Sequence, residues 1–206
     1  MRKKVIIPGL AILLGAVSTH AQGTVVFANP GAPISNFLTQ APVPAGQQFW
    51  VALYWLPDSP IPPTPSDFDA AGSRACAAIT NFIAPGVFHG GVVRIGLFSP
   101  GAQAWFQVRA WEHLYGSREI KSYEEAILAP YDPFIGRPIL VGTSNIFKVD
   151  TGDPTTTPPQ VPAPIHGAGK LQGFYVGLFP EPSLVALGLL AISAAWLGRR
   201  PHRLSK

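Results

Sequence analysis

The middle of this chain predicts an all-β fold, a sandwich or jelly-roll-like domain with one short helix. Three observations carry that expectation. Twenty-three prolines and twenty-one glycines cut the 206 residues into short pieces, which argues against long helices and favours strands joined by turns. Several of those pieces are rich in aromatic and β-branched residues, and some alternate with period two. Only one stretch, 122–128 (SYEEAIL), has a convincing helical composition, with Ser122 as N-cap and Glu124 and Glu125 in the first turn. No repeat period is visible.

The chain opens with Arg2-Lys3-Lys4, an apolar run over 5–17, and Thr19-His20-Ala21. That order is a secretory signal peptide over 1–21, cleaved between Ala21 and Gln22. A first strand follows at 24–29 (TVVFAN), closed by Asn29-Pro30-Gly31. Residues 31–46 hold Pro33, Pro42, Pro44 and Gly46 and read as an irregular connection. The strongest strand signal is 47–56 (QQFWVALYWL). Phe49, Val51, Leu53 and Trp55 fall on one face and Trp50, Ala52, Tyr54 and Leu56 on the other, so this strand should be central.

Residues 57–65 (PDSPIPPTP) form an extended proline-rich loop, and 67–78 are ambiguous, with room for a short helix. Residues 91–98 and 104–112 then suggest a hairpin across Ser99-Pro100-Gly101. In the second of them Trp105, Gln107, Arg109 and Trp111 alternate against Phe106, Val108 and Ala110, the pattern of a half-buried strand. A strand at 144–149, a Thr/Pro loop at 153–164 and a last strand at 171–179 complete the domain, 22–179.

Charge separates the ends from the middle. Arg2, Lys3 and Lys4 belong to the leader, and Arg199, Arg200, Arg203 and Lys206 to the tail. Across 22–182 the eight remaining basic side chains face eleven acidic ones, a formal net charge of −3. The basic pI near 9.4 therefore describes the targeting ends. A nucleic-acid partner, which needs a basic patch, loses its support. Cys76 is the only cysteine, so no intramolecular disulfide forms, and a small apolar packing role is the simplest reading of it.

The last twenty-seven residues have three parts. Pro180-Glu181-Pro182 comes first. An uncharged run over 184–198 follows, whose bulk comes from Leu184, Val185, Leu187, Leu189, Leu190, Ile192, Trp196 and Leu197. The basic end holds Arg199, Arg200 and Arg203. Fifteen residues make a helix of about 22 Å, short for a membrane span of ~20 residues, but snorkelling arginines and local thinning accommodate it. Gly188, Ala191, Ala194 and Ala195 give a small-residue surface suited to packing inside a membrane partner. The arginines favour a cytoplasmic C-terminus.

This tail resembles the PEP-CTERM sorting signal of exported Gram-negative bacterial proteins. Residues 22–29 (QGTVVFAN), 107–111 (QVRAW) and 123–126 (YEEA) look like PEP-CTERM proteins of Verrucomicrobia-type bacteria, a likeness that brings no assigned activity. The resemblance implies export through the Sec translocon and transient anchoring in the inner membrane. It further implies recognition of Pro180-Glu181-Pro182 by an exosortase that removes the apolar helix. The association of the family with exopolysaccharide matrix implies a structural or adhesive role at the cell surface or outside it, without catalysis.

Candidate chemistry in the middle is sparse. Asp150-Thr151-Gly152 matches the aspartic-protease tripeptide, but only one copy exists, and a strand running into a turn explains it. His89-Gly90-Gly91 resembles an esterase oxyanion loop, yet no G-x-S-x-G accompanies it, so a glycine turn before a strand is expected. His89, His113 and His166 have no zinc-ligand spacing, and Asp58, Asp67 and Asp69 no calcium-loop pattern, so no metal or other cofactor is expected. Trp50, Trp55, Trp105 and Trp111 offer a stacking platform for sugars if exposed, making a carbohydrate-binding module the alternative. A hydrolase using Glu112, Glu124 or Asp150 would need two carboxyls converging about 5–10 Å apart.

Overall fold

The computed structural model describes residues 22–96, 99–129 and 131–178. The leader 1–21, the sorting motif, the apolar run and the basic tail lie outside the described residues. Among the described residues, twelve strands and two short α-helices follow in order, with a 3-10 turn at Gly72–Ala75 after the first helix. They are β1 (Gly23–Ala28), β2 (Ser35–Asn36), β3 (Gly46–Pro57), α1 (Pro65–Ala71), β4 (Cys76–Ala84), β5 (Val87–Ile95) and β6 (Gln103–Glu112). Then come β7 (Leu114–Tyr115), β8 (Arg118–Glu119), α2 (Tyr123–Leu128), β9 (Leu140–Thr143), β10 (Phe147–Asp150), β11 (Ala163–Pro164) and β12 (Tyr175–Leu178).

The protein is mostly β. Where the sequence suggests two packed sheets, ten of the strands form one mixed sheet that curls into a half-barrel. Its main path is β11-β1-β5-β4-β3-β6-β9-β12-β2, with β10 also on β6 and only β1/β11 and β12/β2 parallel. β9 and β10 are two halves of one broken partner of β6. At the break the Ser144 hydroxyl accepts the Val108 N–H at 2.9 Å while the Ser144 N–H reaches the Val108 carbonyl at 2.8 Å. At one end of the curl Thr24 and Gly152 exchange backbone hydrogen bonds of 3.0 and 2.8 Å, a seam between β1 and the residues after β10.

Curling follows from the two central strands. Each residue face of β3 is apolar, as its sequence predicts. Phe49, Val51 and Leu53 join a core enclosed by the curl with Phe27, Phe82, Phe88, Phe106 and Val108. Ala52 and Tyr54 turn outward to a second core with Phe68 of α1, Trp111, Ile120 and Tyr123 of α2. One face is covered by the rest of the sheet and the other by the helices and the 113–139 segment, so both sides of β3 leave water. Asn29, fully buried after β1, ties the turn regions: its amide donates to the Ala32 and Gly86 carbonyls and its oxygen accepts the Phe88 N–H.

Several expectations need correction. The hairpin of 91–98 with 104–112 does not exist, because β5 pairs with β1 and β4, and β6 with β3, β9 and β10. The tight turn is instead Pro85-Gly86 between β4 and β5, and β4 itself replaces the end of the ambiguous 67–78 stretch. That stretch does begin helically. Thr64 and Asp67 form a capping box with Pro65 in the first turn of α1. β6 is not half-buried: Gln107 and Arg109 are both about 1% exposed. The helix α2 stands where its composition placed it, with the Ser122 hydroxyl accepting the Glu125 N–H at 3.0 Å. The strands expected at 144–149 and 171–179 begin later, at Phe147 and Tyr175.

Candidate functional site

The outward face of β3 and β6 carries the densest polar chemistry among the described residues. Alternation along β6 points Gln107 and Arg109 at the helices, and burial there obliges Arg109 to find partners. Its guanidinium lies 4.6 Å from the Tyr54 ring centroid and 4.9 Å from that of Tyr123. Nη2 meets the half-exposed Asp69 of α1 at 2.8 Å, and Nε donates to Gln107 Oε1 at 2.9 Å. The Tyr54 hydroxyl donates to Glu124 of α2 at 2.9 Å. Arg109 is thus a buried cation held by two aromatic faces, and it pins both helices to the sheet.

Burial, reinforced by the Glu124 carboxylate, drives the Tyr54 hydroxyl far above the ordinary tyrosine range. Burial also pushes Tyr123 up to about 12 and, with Glu124 again adding, the Cys76 thiol up to about 11. All three hold their protons more tightly when folded. For Cys76 and Tyr123 the resulting contribution to stability is complete below pH 9 and is lost as pH rises toward 11 to 12, while for Tyr54 the loss runs to higher pH still. Cys76 is half-buried and poorly ionised, the opposite of a nucleophile's environment. At pH 8, iodoacetamide should alkylate it about 100-fold more slowly in the native protein than in denaturant, read by intact mass. Equal rates would show that the thiol is not shielded.

A second feature sits at the end of the sheet. A shallow, mainly apolar groove of about 570 Å³ is lined by Phe37, Tyr123, Val141, Thr143, Tyr175 and Leu178. Gly142 forms its floor, where β12 crosses so closely that a Cβ at Gly142 would stand 2.3 Å from the Tyr175 carbonyl oxygen. The side-chain oxygen of Asn36 accepts the Leu38 N–H at 2.9 Å and the Thr39 N–H at 3.3 Å, bracing a tight turn over 36–40. That turn holds Phe37 and Leu38 in solvent at 58% and 53% exposure, beside Tyr175 at 52% and Leu178 at 41%. The Phe37 and Tyr175 rings meet edge to face, 6.1 Å apart. Residues 31–46 read from sequence as a mere connection. Two bulky apolar side chains between prolines were the signal available.

The four tryptophans do not form a coplanar exposed platform. Trp111 is fully buried, and its indole N–H donates to the Ile120 carbonyl at 2.9 Å. Trp50 stands edge-on to Trp111 and stacks 3.6 Å from the His113 ring. Trp55 packs against the inner core, on the opposite face of β3. Trp105 lies under the Lys148 ammonium at 5.3 Å with its indole N–H buried and unpaired.

Nor do the carboxylates converge. Glu112 is buried and grips Arg137 through both oxygens at 2.7 and 2.8 Å, Glu124 accepts from Tyr54, and Asp150 accepts from Gln103 at 2.6 Å. Because Asp150 pairs with Gln103, it lies at the opposite end of β6 from Glu112, about 30 Å away at ~3.4 Å per residue.

Thr151 and Gly152 belong to the seam, as a strand running into a turn. His89-Gly90-Gly91 is not a turn before a strand but lies within β5. There the register against Phe27 and Ala28 slips and Gly91 takes φ +74°, the signature of a bulge. His113 Nδ1 lies 2.8 Å from the Ile120 carbonyl, and His166 sits in an isolated bridge with Leu171. Asp58 pairs with Lys148 at 2.7 Å, Asp67 caps α1 and Asp69 meets Arg109, so the three aspartates are divided among separate partners. Among the described residues no group of His, Cys, Asp and Glu is arranged to hold a metal ion. Gln22 is half-buried immediately before β1.

No protein-family model, curated protein or solved structure matches the chain. Among the described residues no helix is long and apolar enough to cross a membrane; the run 184–198 lies outside them.

Proposed function

We propose that this is an exported, non-enzymatic structural protein of the cell surface or extracellular matrix, sorted and processed through its C-terminal tail by an exosortase. The reading rests on one observation: Pro180-Glu181-Pro182, an uncharged fifteen-residue run and an arginine-rich end stand in that order, behind a chain that opens with a secretory leader. The motif follows directly on the folded body, since β12 ends at Leu178. In support, Glu112, Glu124 and Asp150 are each committed to a structural partner.

Terminal-peptide mass spectrometry on protein from its native host tests this reading. The expected product starts at Gln22 and ends near Pro182. An intact chain ending at Lys206 in the membrane fraction would mean permanent anchoring, and the sorting interpretation would fail.

A further inference from the structure

We infer that the apolar rim formed by Phe37, Leu38, Tyr175 and Leu178 rests on the lipid surface while the tail is inserted in the bilayer. The inference builds on the tail reading above and adds an orientation and a contact surface to it. Only five residues separate Leu178 from Leu184, so the apolar run begins within about 20 Å of the rim at ~3.3 Å per residue. Whatever medium takes up that run, this end of the body is held beside it.

The exposed side chains suit that medium. Two of the four are aromatic, and the Asn36-braced turn keeps Phe37 and Leu38 outward instead of letting them fold into the groove. The contact is apolar, not electrostatic, because residues 22–179 carry a formal charge of −2, eight basic side chains against ten acidic.

Two other occupants fit worse. The run 184–198 is apolar on all sides, and as a helix of about 22 Å length and ~10 Å diameter it fills about 1,700 Å³. A one-sided groove of about 570 Å³ leaves most of it bare. A second copy needs some 20–30 residues a side for a stable interface, far more than this rim offers.

The test uses the leader-free chain from Gln22 to Lys206 with Cys76→Ala, reconstituted in phosphatidylethanolamine and phosphatidylglycerol vesicles. A fluorophore is placed in turn at Leu38→Cys, Val161→Cys and Ser193→Cys, and read with lipid-borne nitroxide and with aqueous iodide. Val161 is 83% exposed and sits beside Gly152, at the far end of β6 from the rim. The expected result is about twofold nitroxide quenching at positions 38 and 193, none at 161, and no reversal by high salt.

Nitroxide quenching at 193 but not at 38 overturns the inference and leaves the membrane tail standing. In that case, shielding of position 38 from iodide assigns the rim to a second copy or to the chain's own tail. No quenching at 193 removes the tail reading itself, and the inference falls with it.

Discussion

Replacing Arg109 by alanine is expected to cost about 4 kcal/mol of folding stability, measured by urea denaturation at pH 7. The side chain is 1% exposed and lies between the Tyr54 and Tyr123 rings, so truncation removes a buried aliphatic stem and two cation–π contacts at once. The Gln107 oxygen loses its donor as well. Arg109→Met should recover more than half of the loss, because it refills the space without a charge to desolvate. Asp69→Asn should cost only about 1 kcal/mol, since Asp69 is 59% exposed and its attraction is screened by water. The order matters more than the values. If Asp69→Asn proved the most damaging of the three, the ion pair and not the aromatic sandwich would be holding α1 and α2 to the sheet.

Gly142→Ala is expected to cost about 3 kcal/mol and to loosen the groove. The new methyl would meet the Tyr175 carbonyl oxygen at 2.3 Å and the Val176 Cα at 3.0 Å. Both are backbone atoms, so no rotamer change relieves the contact, and β12 must lift from β9. The pairing at stake is Gly177 opposite Val141 and Leu178 opposite Leu140. Hydrogen exchange should therefore rise at 175–178 and in the 36–40 turn, whose Phe37 N–H bonds the Val176 carbonyl at 2.7 Å. Unchanged exchange there, with unchanged stability, would show that β12 does not sit as closely on β9 as described.

What could be read from the sequence was local. The two faces of β3 separate in the core as their alternation predicts, and Ser122 caps α2, because both depend on residues a few positions apart. Arg109 escaped because its alternation with Gln107 looks like a solvent face. The residues that bury it, Asp69 and Tyr123, stand forty positions before and fourteen after. β4 escaped because CAAITNFIA opens with alanines that favour helix, and its true partner turn, Pro85-Gly86, was overshadowed by Ser99-Pro100-Gly101. The strand order itself depends on which doubly apolar strands claim the centre, and that competition leaves no mark on any one segment. For the sugar platform, the tryptophans' indole rings were visible in sequence, but the full burial of Trp111 and the placing of Trp55 on the opposite face of β3 from Trp50 depend on the sheet as a whole.

The seam between Thr24 and Gly152 lies at the Gln103 end of β6, whereas β12 leaves the body near the Glu112 end. β1 begins at Gly23, one residue past the cleavage position of the export reading. On that reading, an uncut leader holds the Gln103 end at the membrane, while the tail calls for the opposite end, about 30 Å away along β6. On the same reading, leader cleavage would do more than release the chain. It would set the order of events, because the body would have to let go at one pole before it could turn over and settle on the other.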